Sequence, residues 1–167
     1  AQSYGDAVTL GATTTLASPG SGRIGFANTI TGAQAMTVNT AGTTTLGGAV
    51  SLATLTTDAA GTTAINGGSV TTTGAQTYND PVTLGAATTI TGVASRFGST
   101  LYGAQTVLVN DSAAMPFDGA LGTVHPLTTL PHHAAAYPTV HGQPPPAPPP
   151  YHNPPLTTVV ALRPLLL

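Results

Sequence analysis

The chain has 167 residues, which suits one domain, and only 5% of them are charged, with a formal net charge of −2. Its 3 basic residues cannot neutralise a phosphate backbone, so the composition excludes a nucleic-acid-binding protein. The lack of cysteine excludes disulfide scaffolds, thiolate metal sites and cysteine nucleophiles.

Short runs of alternating apolar and polar residues follow one another through the first 124 residues. In chain order they include Val8-Thr-Leu10, Thr43-Thr-Thr-Leu46, Thr63-Ala-Ile65, Val70-Thr-Thr, Val82-Thr-Leu84 and Thr88-Thr-Ile90. Corners rich in Gly, Asn or Asp separate the runs, for example Asn66-Gly67-Gly68. A period of two between turn residues predicts strands of about three to six residues, with roughly twenty residues per circuit. We therefore predict an all-β fold.

A longer repeat joins two parts of this region. The text Gln2-Ser-Tyr4-Gly-Asp6-Ala-Val8-Thr-Leu10 returns after about 74 residues as Gln76-Thr-Tyr78-Asn-Asp80-Pro-Val82-Thr-Leu84. A sequence that repeats nearly unchanged at a fixed spacing is typical of a parallel β-helix, or β-solenoid, rather than of a globular sandwich. We expect the Val and Leu residues of both copies to point inward at equivalent places in their coils, with Thr9 and Thr83 pointing outward.

The composition changes after residue 124. Residues 125–167 contain all 5 His and most of the 15 Pro residues of the chain. Proline has no N–H to donate to a sheet and favours extended polyproline II structure. The spacing of Leu127 and Leu130 repeats that of Leu52 and Leu55. We therefore predict a β-solenoid repeat region at 1–124, and at 125–167 a largely disordered Pro/His-rich tail that derives from a degraded further repeat.

The repeats also suggest a family. The segment Thr73-Gly-Ala-Gln-Thr-Tyr78-Asn-Asp80-Pro-Val-Thr-Leu84-Gly, with the run from Leu55 to Gly68 before it, resembles the repeats of filamentous-haemagglutinin-like exoproteins. These are large bacterial adhesins secreted by two-partner or related type V routes. The resemblance covers residues 1 to about 130. It implies a right-handed β-helix, an extracellular or cell-surface location at the outer membrane, and a role in cell adhesion.

These observations together predict a structural role. The 167 residues contain neither a secretion domain nor a translocator barrel of that family, so we expect a non-catalytic shaft segment of an adhesin, without cofactor or metal. Host or neighbouring-cell glycans or proteins would be bound by other parts of the parent protein. No stretch reaches the roughly 18 apolar residues of a membrane span, so we expect no membrane insertion.

Other functions remain open as alternatives. A carbohydrate- or matrix-binding module is the first of them, although it needs grouped aromatic residues and the chain has only 5 Tyr and 3 Phe. A polysaccharide lyase needs clustered charges, and the repeated region offers only Arg23 and Arg96 as bases. Ice binding is disfavoured because Thr triplets such as Thr43-Thr-Thr45 alternate between the two faces of a strand.

Two motifs have the residue types of enzyme sites. Gly20-Ser-Gly22-Arg-Ile-Gly25 fits the dinucleotide-binding glycine string, but no helical pattern follows it, so we interpret it as a coil corner. Ser112, Asp118 and His125 supply the residue types of a catalytic triad. Nothing around them resembles a nucleophile elbow, and we expect no catalysis there.

The remaining candidates have structural explanations. Asp6 and Asp80 occupy the same place in each repeat, and we interpret them as turn-capping residues rather than calcium ligands. Tyr4 and Tyr78 also recur, and we expect them to stack along one face. The imidazoles of His132, His133 and His141 have no recognised metal-ligand spacing. Asn110-Asp-Ser112 is a glycosylation sequon only in a glycosylating host.

Overall fold

The computed structural model describes residues 1–113 and 116–121, together with the backbone of three short strands further along the chain. All regular elements in the described part are strands, and none is a helix. The strands are β1 (Gln2–Tyr4), β2 (Val8–Thr9), β3 (Thr14–Ser18), β4 (Ile24–Phe26), β5 (Ile30–Thr31), β6 (Ala35–Thr40), β7 (Thr43–Leu46), β8 (Val50–Leu52), β9 (Thr54–Thr57), β10 (Thr62–Ile65), β11 (Ser69–Thr72), β12 (Gln76–Tyr78), β13 (Val82–Leu84), β14 (Thr88–Gly92), β15 (Ser95–Phe97), β16 (Leu101–Tyr102), β17 (Val107–Asp111), β18 (Pro116–Phe117), β19 (Pro131–His132), β20 (Thr139–Val140) and β21 (Thr158–Val159).

These strands form three sheets, because every third strand returns to the same side of the molecule. Sheet 1 has the order β1-β4-β7-β10-β13-β16 and sheet 2 the order β2-β5-β8-β11-β14-β17-β19-β21. Sheet 3 has the order β3-β6-β9-β12-β15-β18-β20. Neighbouring strands are parallel, for example β4 with β7, and only the pair β19–β21 is antiparallel in the described part. The protein is a parallel β-solenoid of about six coils, which confirms the predicted fold class.

The length of one coil matches the predicted circuit. Thr9 pairs with Thr31, 22 residues further along, and Thr43 pairs with Thr62, 19 residues further along. Each coil therefore contains three short strands and three corners. Glycine is required at some corners because the coils approach closely there: a Cβ atom at Gly67 would clash with the backbone of Gly48 in the coil below.

The core consists of files of apolar side chains that run from coil to coil. In sheet 2 one such file contains Ile30, Val50, Val70, Ile90 and Val109, each at most 1% exposed. Alternation along each strand puts these residues inside and their neighbours outside. Full burial of a side chain of this size contributes roughly 1.5–3 kcal/mol of transfer free energy.

The predicted orientation of the repeated strands is confirmed. Val82 and Leu84 are buried in β13, while the Thr between them is partly exposed. In the first coil Thr9 is exposed, whereas Val8 and Leu10 are half-buried and pack against the core. The first copy is less buried because it has a coil on one side only.

The predicted equivalence of the two copies within their coils is wrong. β1 and β12 carry the same repeated text, but β1 belongs to sheet 1 and β12 to sheet 3. β2 and β13 likewise belong to sheets 2 and 1. The reason is that one sequence repeat spans eleven strands, whereas one coil contains three. Each repeated strand therefore lies one sheet earlier than its first copy.

The boundary predicted after residue 124, and the disorder and ancestry predicted for 125–167, lie outside the described residues. The backbone pairings that can be stated there involve β19 with β17 and β20 with β18, both of them parallel. These pairings extend sheets 2 and 3.

Candidate functional site

Ionisable side chains in the described part lie mainly at or near corners. Asp6 follows β1, Asp58 follows β9, Asp80 lies between β12 and β13, and Asp118 follows β18. No group of three or more His, Cys, Asp or Glu side chains that could hold a metal ion is present among the residues that the structure describes. Each carboxylate is therefore considered with its own partners.

Asp80 is the most constrained of these carboxylates. It is 2% exposed and accepts hydrogen bonds from two hydroxyls of the coil below. Thr57 Oγ1 donates to Oδ1 at 2.6 Å, and Thr63 Oγ1 lies 3.0 Å from Oδ1 and 2.8 Å from Oδ2. Burial raises the pKa of Asp80, and the two Thr hydroxyls oppose that rise only in part. The side chain braces the corner between sheets 3 and 1.

Asp6 has the same sequence context as Asp80 but a different environment. It lies at the corner after β1 in the first coil and is exposed. The corner that Asp80 braces contains Thr57 and Thr63 of the preceding coil, and Asp6 has no preceding coil in this structure. The corner interpretation therefore fits Asp80.

The repeated tyrosines are part of the interior. Tyr78 is fully buried, its hydroxyl donates to Gln76 Oε1 at 2.9 Å, and its ring stacks on Phe97 at a centroid distance of 5.0 Å. Burial raises the pKa of Tyr78, with smaller contributions from the Asp80 and Asp111 carboxylates. A phenol in this position supports packing and is not presented to a ligand.

Tyr4 repeats this arrangement in another sheet. Its hydroxyl donates to Gln2 Oε1 at 2.9 Å, and its ring stacks on Phe26 at 4.9 Å. The expectation that Tyr4 and Tyr78 stack along one face is wrong, because they belong to sheets 1 and 3. Each ring stacks instead on a Phe of the following coil, since parallel in-register strands place side chains of adjacent coils directly above one another.

The residues of the suspected triad have separate partners. Ser112 is exposed, and its hydroxyl lies 3.5 Å from the carbonyl oxygen of Val93. Asp118 forms an ion pair with Arg96, whose side chain also donates to Asn79 Oδ1 at 3.3 Å. His125 lies outside the described residues. Nothing in this geometry links Ser112 to Asp118.

A second buried carboxylate lies beside the glycosylation sequon. Asp111 is 3% exposed and accepts hydrogen bonds from the Ser95 backbone N–H at 2.6 Å and from the Ser95 hydroxyl at 3.0 Å. Asn110, the sequon residue that would carry a glycan, points the other way and is partly exposed. Asp111 thus ties β15 to β17 across the corner between sheets 3 and 2.

The glycine string at 20–25 forms a corner. Gly20 and Ser21 have left-handed backbone angles, with φ of 77° and 61°, and strand β4 begins at Ile24. A dinucleotide site would need a helix at this point. A shallow, open depression of about 440 Å³ lies over this corner, and Asp58 is the one charged residue of its lining. The Asp58 carboxylate accepts a hydrogen bond from the Thr40 backbone N–H at 3.1 Å.

The three candidate metal-binding imidazoles cannot be placed. The side chains of His132, His133 and His141 lie outside the described residues, so the absence of a metal site there stays a prediction.

The outer face of sheet 2 carries a regular array of hydroxyl groups. One outward file contains Thr9, Thr31, Ser51, Thr71 and Thr91, which are paired in register. A second file, two residues before the first, contains Thr29, Ala49, Ser69 and Thr89, and Ala49 is its one member without a hydroxyl. Thr29 and Ala49 directly precede strands β5 and β8. No charged side chain points outward from β2, β5, β8, β11, β14 or β17, the strands of this sheet whose side chains the structure describes. We call these nine residues the sheet 2 array.

Sequence reasoning missed this array because it considered only consecutive Thr triplets. The signal is nevertheless present as Thr29-Ile-Thr31, Ala49-Val-Ser51, Ser69-Val-Thr71 and Thr89-Ile-Thr91, which recur at the length of one coil. The triplets do alternate between faces as expected, and in β7 the side chain of Thr44 is buried while Thr43 and Thr45 are partly exposed.

Comparison of the chain with protein-family models, with curated proteins and with solved structures finds no match. In the part of the chain that the structure describes, no helix could span a bilayer.

Proposed function

We propose that this chain is a non-catalytic shaft segment of a secreted or surface-displayed bacterial adhesin. The observation that carries the proposal is the uninterrupted stacking of coils, in which one apolar file runs from Ile30 in the second coil to Val109 near the other end. Each coil adds about 4.8 Å to the length of the solenoid. Such a structure separates two points in space without needing a binding site of its own.

The chemistry of the surface supports the same proposal. Where carboxylates are buried, as at Asp80 and Asp111, hydroxyl or amide donors from neighbouring coils engage them. A polysaccharide lyase or a solenoid hydrolase needs charged groups that converge on a groove. In the described part, the Arg96–Asp118 ion pair is exposed and separate from both buried carboxylates.

In this proposal the segment acts outside the cell and makes no contact with nucleic acid. Recognition of glycans or proteins on host or neighbouring cells belongs to other parts of the parent protein. The sequence resemblance to filamentous-haemagglutinin-like repeats supports this location and these partners. The solenoid supplies the continuous stacking that a spacer needs and carries no information about location or partners, because the same fold serves many functions.

Two measurements test the shaft role. Reading the coding sequence on both sides of this segment should reveal further coils in the same frame and a secretion domain or translocator. The purified chain should show no saturable binding to arrays of immobilised glycans and matrix proteins. An unrelated enzyme fused in frame, or saturable glycan binding, would contradict the proposal.

Glycan binding would favour the carbohydrate-binding alternative, and one variant would locate it. Tyr102 is the aromatic residue on the outer face of sheet 1 and is partly exposed. If Tyr102→Ser removed the binding while Thr83→Ser, on the neighbouring strand, retained it, the segment would be a binding module rather than a shaft.

A further inference from the structure

We propose that the sheet 2 array binds ice. Water in ice is an ordered lattice, and a protein surface can hold it only if hydrogen-bonding groups repeat with a matching two-dimensional spacing. This inference goes beyond the shaft role and does not rest on it, because it requires only the folded coils.

The geometry of the sheet 2 array resembles the spacing of an ice lattice. Parallel strands lie about 4.8 Å apart, and residues two apart on one strand are separated by roughly 6.6 Å. The strand spacing is close to the oxygen repeat along one axis of hexagonal ice. The file from Thr9 to Thr91 crosses five strands without a gap, and the second file runs beside it over four coils with one position, Ala49, that lacks a hydroxyl. The array is therefore periodic in two directions.

Hydroxyl groups of the sheet 2 array are available to bind water. The Oγ1 atoms of Thr9 and Thr31 lie 3.4 Å apart, which is long for a hydrogen bond between hydroxyls. The hydroxyls of Thr71, Thr89 and Thr91 have no hydrogen-bond partner among the residues that the structure describes, in contrast to buried Thr57 and Thr63. They can therefore donate to and accept from water molecules.

The side chains of the sheet 2 array are held rigidly. Threonine is branched at Cβ, so its χ1 rotamers are restricted on a strand. The strands below are fixed by the buried file of Val50, Val70 and Ile90, each at most 1% exposed. Because the hydroxyls are already ordered, little conformational entropy is lost when a lattice forms on them.

The other two sheets lack this combination. On sheet 1 the outward file that includes Thr45 and Thr83 is interrupted by Gly25 and Ala64. On sheet 3 the outward file of Thr15, Thr37, Thr56 and Thr77 is unbroken over four strands, but it ends at the charged side chain of Arg96. The file beside it contains Ala35 and Ala75, so sheet 3 has fewer hydroxyls in the second direction than sheet 2. A crystalline polysaccharide is a less suitable occupant of sheet 2, since the array offers no aromatic ring on which a sugar could stack.

The experiment measures thermal hysteresis and partition into growing ice for the full 167-residue chain. We expect the protein to be incorporated into the growing ice and to lower the freezing point below the melting point. Thr71→Tyr, at the centre of the sheet 2 array, should lose most of the hysteresis because the ring prevents close approach of the lattice. Thr56→Tyr, an outward position on sheet 3, is the matched control and should retain it. Circular dichroism of both variants checks that the coils are intact.

Three results would overturn the inference. The first is exclusion of the wild-type chain from ice without hysteresis. The second is a loss in Thr56→Tyr that equals or exceeds the loss in Thr71→Tyr with both variants folded, since this would place the ice-binding face on sheet 3 or on no single sheet. The third is binding to crystalline cellulose or chitin that Thr71→Tyr abolishes while ice is not bound. Should Thr71→Tyr fail to fold, Thr71→Val keeps the shape and removes only the hydroxyl, and unchanged hysteresis in that variant would also count against hydroxyl recognition.

Discussion

Asp80 shows how a solenoid interior accommodates a carboxylate. Two hydroxyl donors, Thr57 and Thr63, come from the coil below, and the carboxylate joins the end of β9 to the start of β10. Burial without any counter-cation leaves the ionised form disfavoured relative to water, so the pKa is raised. The folded chain therefore holds a proton on Asp80 at a pH where the unfolded chain has lost it.

This shift predicts that stability falls as pH rises. The contribution of Asp80 is fully present below its ordinary pKa of 3.8 and is lost as pH rises through the raised pKa of the folded state. We expect the free energy of unfolding, measured with urea at several pH values from below 3.8 to neutral, to decrease over that window. Asp80→Asn has no proton to lose and should show a smaller decrease. An equal pH dependence in both proteins would contradict the assignment.

The role of Asp80 was predictable only in outline. The sequence marks it as a corner residue, because it stands between two strand patterns and beside Pro81. Its burial depends on two threonines that lie 23 and 17 positions away and reach it only after coils stack. Asp6 has the same sequence context but is exposed, because burial at this position requires a neighbouring coil that covers the side chain.

At the scale of the strand, alternation determines which side chains enter the core. In β13 the order is buried Val82, partly exposed Thr83 and buried Leu84. The period of two in the sequence predicted this orientation correctly, because a strand has no other way to place an apolar pair on one face. Strand boundaries were less predictable, since corners with different residues are compatible with strands of two to six residues.

A matched pair of charge substitutions tests this alternation. Leu84→Asp would place an unpaired charge in the apolar core and should lower the free energy of unfolding by about 3–5 kcal/mol. Thr83→Asp faces solvent and loses one hydrogen bond to the Thr63 carbonyl oxygen, so it should cost at most about 1 kcal/mol. Urea unfolding followed by circular dichroism measures both. Comparable losses in the two variants would mean that the register is wrong.

The aromatic stack in sheet 3 is a second element-scale feature. Phe97 lies between Tyr78 and Phe117, with ring centroids 5.0 and 5.2 Å away and nearly parallel planes. The sequence does not show this stack, because the three rings come from three coils. Offset stacking adds to the burial of apolar area that each ring already contributes.

Removing the central ring tests the stack. Phe97→Ala should lower the free energy of unfolding by about 3–5 kcal/mol, because it leaves a cavity between two rings that cannot close it. Arg96→Ala, the adjacent outward residue, removes an exposed ion pair with Asp118 and should cost about 1 kcal/mol or less. Thermal unfolding of the two variants compares them. A loss at Arg96 as large as that at Phe97 would contradict the packing.

At the scale of the whole molecule, the sequence predicted the solenoid but not the phase of its repeat. One sequence repeat spans eleven strands, whereas one coil contains three. The second copy of a strand therefore lies in sheet 3 where the first lies in sheet 1, and in sheet 1 where the first lies in sheet 2. The three sheets offer similar local environments, with an apolar interior on one side and solvent on the other. Periodicity within one repeat therefore cannot reveal which sheet a strand will join.

One consequence concerns the surface of a longer solenoid. If the repeat continued, the outward residues of each unit would lie on the sheet that precedes the one used by the unit before it. The sheet 2 array depends instead on the period of one coil, which is why its nine residues stay on a single face. Surface features with the coil period form stripes, while those with the repeat period rotate.

The stacking register is the central claim, and cysteine cross-linking tests it most directly. The chain has no cysteine, so an introduced pair is unique. Ser51 and Thr71 are paired on neighbouring strands, at a spacing of about 4.8 Å that lies within the Cα range of disulfides. We predict that Ser51→Cys with Thr71→Cys forms an intramolecular disulfide under mild oxidation. The pair Ser51→Cys and Thr72→Cys should form no disulfide, because the side chain at position 72 points inward. A disulfide in the second pair and none in the first would contradict the solenoid register.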